Sequence, residues 1–293
     1  MRFPFTGVIP VDKPIGATSR RVVDAVARAL GMKTVGHAGT LDPLADGVVV
    51  VCAGHATKLV DYLHDLPKHY TASFLLGRSS PSDDFETPIE VEAEPHVPTR
   101  EEIEAALPSF RGEILQRPCD YSAVHVDGKR AYRLARKGRP LELTAKRVRI
   151  DILAITAYEW PRLGVDIVCS SGTFVRAIGR DLAMALGTQA VMESLTRTAV
   201  GPFSRGQSLE MAAVTLESVR AAMLPAVAAV PLVPRVTLGD DLLAKAVRGG
   251  LVAVGDEPAE ALAAVDEAGD LVGILKRHES GLYRLRPNFR GEG

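Results

Sequence analysis

Along this 293-residue chain, hydrophobic positions recur with two periods, and the changes of period mark its elements. Residues 6–11 predict a first strand, followed by a polar turn at 12–16. From Thr18 or Ser19 to about Leu30 the spacing is helical. Val22, Val23, Val26 and Leu30 share one face, a hydroxyl stands at the N-cap, and Gly31 is placed to end the helix. The β-branched run at 47–52 predicts a buried strand, residues 57–63 a short helix, and 70–76 an alternating strand. Two strands of a hairpin follow at 147–158 and 164–170, then a helix at 172–186 that stops near Gly187. Residues 216–229 are Ala-rich and helical until Pro225 ends or breaks the run. Pro231 and Pro234 mark a linker. Beyond it a short helix at 240–247 and short strands at 261–265, 271–275 and 283–285 predict a small β-rich unit with little independent core. The chain is expected to divide into domains at 1–233 and 234–293.

Composition adds little until charge is read locally. With 46% hydrophobic and 24% charged residues, the chain is an ordinary globular one. Its net charge of −1 means that any surface for a polyanion must come from clustering. Between residues 82 and 104, nine acidic residues face only Arg100. Between 128 and 149, nine basic residues, among them Lys129, Arg130 and Arg133, face only Glu142, a local net charge of +8. Tyr132 and Gly138 interleave these cations, which favours a phosphate-contacting segment over a merely solvated face. The acidic block is expected to point away from it. Cys52, Cys119 and Cys169 are scattered without a Cys-x-x-Cys, so a reducing compartment and no structural metal are expected. The N-terminus carries no basic-then-apolar signal pattern, and no apolar run approaches the ~20 residues of a membrane span. A cytoplasmic protein is expected.

The most informative segment is Gly36-His37-Ala38-Gly39-Thr40-Leu41-Asp42-Pro43-Leu44-Ala45. It places Asp42 before a proline, which biases Asp42 toward extended geometry. Gly36, Gly39 and Gly47 permit close backbone approach nearby. A carboxylate on a rigid loop, followed by Val48-Val49-Val50-Val51, suits a nucleophile or base at the mouth of a cleft. An Asp-Pro turn leading into a strand is the plainer alternative.

Four further segments change that weighting. They are Asp12-Lys13-Pro14-Ile15-Gly16-Ala17-Thr18-Ser19, Lys68-His69-Tyr70, the stretch from Tyr121-Ser122-Ala123-Val124-His125 to Lys129-Arg130-Ala131-Tyr132, and Cys169-Ser170-Ser171-Gly172-Thr173-Phe174-Val175-Arg176. With the decapeptide, they resemble the signature segments of the bacterial-type tRNA pseudouridine synthase B (TruB) family, in the family's order and at similar spacing. The resemblance runs from about Gly7 to Phe203, with a weaker tail after Val236. It implies an α+β fold: a pseudouridine-synthase domain with a mixed, largely antiparallel central sheet, plus a small C-terminal PUA-like β-rich domain. It also implies isomerisation of a flipped-out uridine, position 55 in the T-loop of tRNA, to pseudouridine without a cofactor, with assistance to tRNA folding as an additional role.

The resemblance assigns residues as well. Asp42 is the catalytic nucleophile; whether it attacks the sugar C1′, attacks the base or deprotonates C2′ stays open. Arg176 pairs with Asp42, and Tyr70 stacks on the target base. His37 helps to hold the flipped nucleotides, and Leu195 lines the uracil pocket. Lys13 and Pro14 buttress the floor beneath Tyr70, and Lys129 and Arg130 contact the RNA. The implied partner is the tRNA T-arm, with no membrane, no obligatory protein partner and a monomeric chain. The sequence departs from the family pattern at Asp46, Cys119, His125 and Ser79-Ser80-Pro81-Ser82-Asp83, which bears on the RNA-contacting loop. Two other classes stand beside this one. A non-catalytic RNA-binding protein on the same scaffold need not keep Asp42, Tyr70 and Arg176 together. A metal-dependent hydrolase built on Asp12, Asp42 and Asp46 lacks any recognisable ligand spacing.

Overall fold

The computed structural model describes residues 3–122, 124–126, 129–137, 142–255 and 259–290. Strand β1 (Gly7–Lys13) pairs antiparallel with β3 (Asp46–Ala53) along its whole length, Gly7 opposite Ala53 and Lys13 opposite Gly47. Between them lie helix α1 (Ser19–Leu30) and strand β2 (Val35–Ala38), which lines the other edge of β3. The helical spacing predicted α1 closely. The Thr18 side chain accepts the Arg21 amide at 3.2 Å, Gly31 ends the helix at a left-handed φ of 62°, and Val22, Val23, Val26 and Leu30 are buried. Burying each such side chain contributes roughly 1.5–3 kcal/mol.

The chain continues through α2 (Val60–His64), β4 (Lys68–Leu76), α3 (Arg100–Ala106), β5 (Gly112–Gln116), α4 (Ala131–Ala135), β6 (Lys146–Glu159), β7 (Arg162–Cys169), α5 (Val175–Ala185), β8 (Ala190–Val200) and β9 (Leu209–Glu210). Among the described residues ten strands form one sheet. Its main path runs β9-β1-β3-β8-β4-β7-β6-β5, with β2 and Phe203–Ser204 off that path. β9 runs parallel to β1, and β8 parallel to β3; the other neighbours are antiparallel. The fold is therefore α+β around a mixed, largely antiparallel sheet. Helix α5 lies close on the sheet because Gly179 has no side chain: a Cβ there would stand 2.2 Å from the Phe74 ring. The long strand β8 carries no prediction from the sequence, although it joins β3 to β4. The helix expected at 57–63 is a 3-10 turn (Gly54–Leu59) followed by α2.

Helix α6 (Leu216–Ala222) stops before Pro225, as the pattern required, and a 3-10 turn (Ala226–Ala229) follows. A second sheet then runs β10-β11-β12-β13 from Arg235–Thr237, Ala261–Val265, Leu271–Arg277 and Tyr283–Asn288, with α7 (Asp240–Val247) between its first two strands. One small cluster, including Leu238, Val252, Val272 and Leu285, belongs to this sheet alone. Ala263, Val265 and Ile274 instead join a cluster with Val8, Val48, Val50 and Cys52 of the large sheet. The C-terminal unit thus offsets its small core by sharing another. Among the described residues no helix is long and apolar enough to cross a membrane.

Candidate active site

Asp42 projects from a loop, residues 39–45, whose backbone is tied down almost residue by residue. Arg197 donates to the carbonyls of Gly39 at 3.2 Å and Thr40 at 3.4 Å, and its Nε to Val48 at 2.7 Å. The Leu41 amide donates to Ser19 Oγ at 2.8 Å, and the Ser19 hydroxyl returns a bond to the Leu41 carbonyl at 3.1 Å. The Ala45 amide reaches the Asp42 carbonyl at 3.1 Å, and the Gly16 amide the Pro43 carbonyl at 2.7 Å. Lys13 Nζ donates to the Ala45 carbonyl from below. The Asp46 carboxylate accepts the Thr196 hydroxyl at 2.6 Å and pairs with Arg205 at 2.8 Å. With its backbone committed, the loop leaves the Asp42 carboxylate 39% exposed and fixed in place. A charge held this way needs no reorganisation at the moment of reaction.

The partner of Asp42 is Arg176, the second residue of α5. A cation at a helix N-terminus opposes the helix dipole, and this one is only 5% exposed. Four acceptors compensate it. Nη2 lies 3.0 Å from Asp42 Oδ2 and 3.1 Å from the Tyr121 carbonyl; Nη1 lies 3.2 Å from Asp84 Oδ2 and 2.8 Å from the Ser82 carbonyl. Burial pulls the Arg176 pKa down, but Asp42 and its neighbours outweigh this and hold it above the ordinary value. Asp84 is 3% exposed; burial pushes its carboxyl up while Arg176 pulls it back. One turn along α5, Arg180 holds Asp83 at 3.1 Å and Asp181 at 2.8 Å. Within the acidic block, Asp83 and Asp84 turn inward to α5, and Glu86 pairs with Arg136 of the basic segment at 2.5 Å. Buried arginines require such counter-charges.

Tyr70 lies on β4 with Arg197 of β8 opposite it on one side and Ile167 of β7 on the other. Burial raises its pKa against the pull of Arg197, so the phenol stays neutral. Leu195, two residues before Arg197 on β8, is 6% exposed and faces Ala72. Leu195, Leu41 and Phe74 belong to one buried cluster, and Tyr70 packs against it. Arg176 pairs with Asp42, the Asp42 charge acts on Tyr70, and Leu195 stands opposite Ala72, two residues along β4 from Tyr70, so the structure brings these four residues to one region. His37, on β2 opposite Val51, is partly buried with an unpartnered Nδ1, and burial followed by Arg197 lowers its pKa.

Lys13, expected as a supporting substrate-site residue beneath Tyr70, is fully buried, and its ammonium donates to the carbonyls of Ala45, Ala17 and Pro14, so its role is support and not substrate contact. It braces the Asp42 loop. Arg197, Asp84 and Arg205 were not foreseen. A charged residue inside Leu195-Thr196-Arg197-Thr198 was the available signal for the first; Asp84 was hidden in a run of acids.

In the basic segment, Arg130, Arg133 and Arg136 are exposed, and Arg133 and Arg136 lie 5.9 and 5.6 Å from the centre of the Tyr132 ring. The side chains of Lys129 and His125, and residues Gly128, Gly138 and Arg139, lie outside the described residues. Asp12, Asp42 and Asp46 do not converge. Asp12 and Asp46 share Arg205, whereas Asp42 faces Arg176. Among the described residues no three His, Cys, Asp or Glu side chains gather as a metal-ligand set.

Residues 27–175 match the family described as TruB family pseudouridylate synthase (N terminal domain). A protein of Caulobacter sp. (strain K31) named tRNA pseudouridine synthase B is 39% identical over 270 residues, 90% of this chain and 87% of that one. A protein of the same name from Rhodopirellula baltica is 41% identical over 212 residues, 70% of this chain and 61%, less than two thirds, of its own length. Among solved structures, a Cbf5-Nop10-Gar1 complex aligns with a TM-score of 0.74 at 23% identity, over 97% of this chain and 85% of that one. At that identity the likeness is one of fold, and it extends over both sheets.

Proposed function

The chain belongs to the TruB family of pseudouridylate synthases, and we propose that it converts uridine-55 in the T-loop of tRNA to pseudouridine with Asp42 as the catalytic carboxylate. The relatives' shared name supports tRNA as the substrate. The observation that carries the assignment is the 3.0 Å pairing of Asp42 with Arg176 beside Tyr70, which packs against the buried cluster that includes Leu195.

The reaction is an isomerisation. The C1′–N1 bond breaks, a C1′–C5 bond forms, the C5 proton leaves and N1 gains one. Nothing is oxidised or reduced, and no co-reactant is consumed. Asp42 supplies the nucleophile, and Arg176 at 3.0 Å keeps it aimed. The uridine must leave its stack at a cost of a few kcal/mol. The Tyr70 ring offsets part of this by stacking, worth ~1–3 kcal/mol per base. Neutral His37 holds the displaced nucleotides, and Leu195 closes the apolar side of the pocket. The segment at about 120–149, with Lys129 and Arg130, grips the RNA backbone. The unit at 234–293 serves as a PUA-like RNA-binding domain on the synthase domain at 1–233. Opening the T-loop for base flipping also gives the protein a means of assisting tRNA folding. The chain acts as a monomer without a protein partner.

The test is to incubate the purified protein with an unmodified tRNA transcript, without added cofactor, and to map pseudouridine by chemical probing. Modification at position 55 supports the proposal. Absence of pseudouridine, or its appearance only elsewhere, refutes it.

A further inference from the structure

Most anchors of the Asp42 loop are buried and grip its backbone. One is ionic and solvent-accessible. Arg205, the first residue of a short 3-10 turn (Arg205–Gln207), is 40% exposed. Its Nε lies 2.9 Å from Asp12 Oδ2 and its Nη2 2.8 Å from Asp46 Oδ2. Asp12 is near the end of β1, and Asp46 is the first residue of β3. The second oxygen of Asp46 accepts the Thr196 hydroxyl, from the residue between Leu195 and Arg197 on β8. Three strands are thus joined at the point where the loop enters the sheet.

We propose that Arg205 is a positioning residue for the isomerisation: by clasping Asp12 to Asp46 it fixes the outer end of the loop that presents Asp42. This rests on Asp42 being the catalytic carboxylate. Asp46 follows Asp42 by four residues, and the intervening Ala45 carbonyl is held by Lys13 alone among the described side chains. Without the guanidinium, Asp12 and Asp46 repel each other where the loop begins its strand. The buried Lys13 ammonium still attracts both carboxylates through space, but Asp12 makes no hydrogen bond to it and its Oδ1 is buried without a partner. The strain is relieved by letting Asp46 swing outward, which carries Asp42 away from Arg176. A misplacement of about 1 Å in a reacting group costs on the order of a hundredfold in rate.

The test uses the full chain, a tRNA transcript tritiated at uridine C5, and three variants: Arg205→Met, Arg205→Lys, and Arg205→Met combined with Asp46→Asn. Single-turnover tritium release at saturating tRNA and the tRNA Kd are measured, with folding checked by thermal denaturation. Arg205→Met is expected to slow release ten- to a hundredfold while Kd stays within about twofold. Arg205→Lys, which reaches one carboxylate at a time, is expected to lose several-fold only, and it serves as the decisive variant where Arg205→Met does not fold. The double variant is expected to recover part of the rate, because it removes the repulsion while the amide still reaches Thr196. Unchanged release in Arg205→Met and Arg205→Lys overturns the proposal, as does a loss explained wholly by weaker Kd or a double variant slower than Arg205→Met. If the wild-type chain releases no tritium, the proposed function fails instead; if Asp42→Asn is dead and Arg205→Met is not, the clasp alone fails.

Discussion

Arg176 and Asp84 are buried against each other at 3.2 Å, while the same guanidinium reaches outward to the solvent-exposed carboxylate of Asp42 at 3.0 Å. One arginine therefore has a buried partner that fixes it and an accessible partner that it fixes in turn. The reactive carboxylate is aimed through Arg176 by a buried residue, Asp84.

Asp84→Asn should accordingly damage both stability and turnover. Removing one member of a buried ion pair costs roughly 3–5 kcal/mol; the low end is expected here, because Asp42 and two carbonyls still compensate Arg176. Urea denaturation measures the first effect and single-turnover assays the second. Turnover should fall more steeply than tRNA binding. Wild-type turnover in Asp84→Asn would mean that Arg176 is positioned by other contacts.

Tyr70 should act through its ring. Tyr70→Phe keeps the ring and should bind tRNA within about threefold of wild type, whereas Tyr70→Ala forfeits stacking worth ~1–3 kcal/mol, a loss of about 5- to 150-fold. Equal losses in the two variants would shift the role to the hydroxyl.

The basic segment should bind RNA by charge. Phosphate contacts release counterions, with a log–log salt slope of about 0.7–0.9 per neutralised phosphate. Replacing Lys129, Arg130 and Arg133 with alanine should weaken binding and flatten the slope, without changing which uridine is modified. An unchanged slope would make this segment a solvated face, and a moved modification site would mean that it reads the loop itself.

Two buried lysines make stability depend on pH. Burial lowers Lys13 and Lys68 to about 8 from 10.5. The unfolded chain therefore binds more protons than the folded one between pH 8 and 10.5, and stability rises with pH across that window. Burial of Cys52 and Cys169 raises their thiols to about 12 and about 11, from 9.0, and burial raises Cys119 well above 9.0 too, so from about pH 9 upward the unfolded chain loses protons at three thiols that the folded one keeps. The net rise should therefore be confined to pH 8–9. Urea midpoints at the two pH values check this, and Lys68→Met should reduce the rise. A fall in stability between pH 8 and 9 would contradict the buried, charged lysines.

The sequence was most legible where a single rule acts alone. The 22–23–26–30 stripe, the Thr18 cap and Gly31 defined α1, and Pro225 ended α6. The Asp42 loop was legible from its glycines and Asp-Pro step, and the family resemblance placed Arg176 and Tyr70 beside it. Strand β8 was not legible. It lies between two neighbours in the middle of the sheet and carries Glu193, Thr196 and Arg197 among apolar residues, so it shows no clean alternation. The supporting role of Lys13 was legible from the resemblance, but its partners were not, because sequence does not reveal which carbonyls an ammonium will find. Asp84 and Arg205 act through partners distant in the chain, Arg176 for one and Asp12 and Asp46 for the other, and no local pattern marks such pairs.

The central claim, that Asp42 performs the isomerisation, is tested most directly by Asp42→Asn on a tRNA transcript tritiated at uridine C5. The substitution keeps the shape of the side chain and removes its charge. The folded variant should bind tRNA within about threefold of wild type and release no tritium above background, while the wild-type chain releases it in step with pseudouridine formation at position 55. Tritium release by Asp42→Asn at a rate near that of wild type would contradict the account.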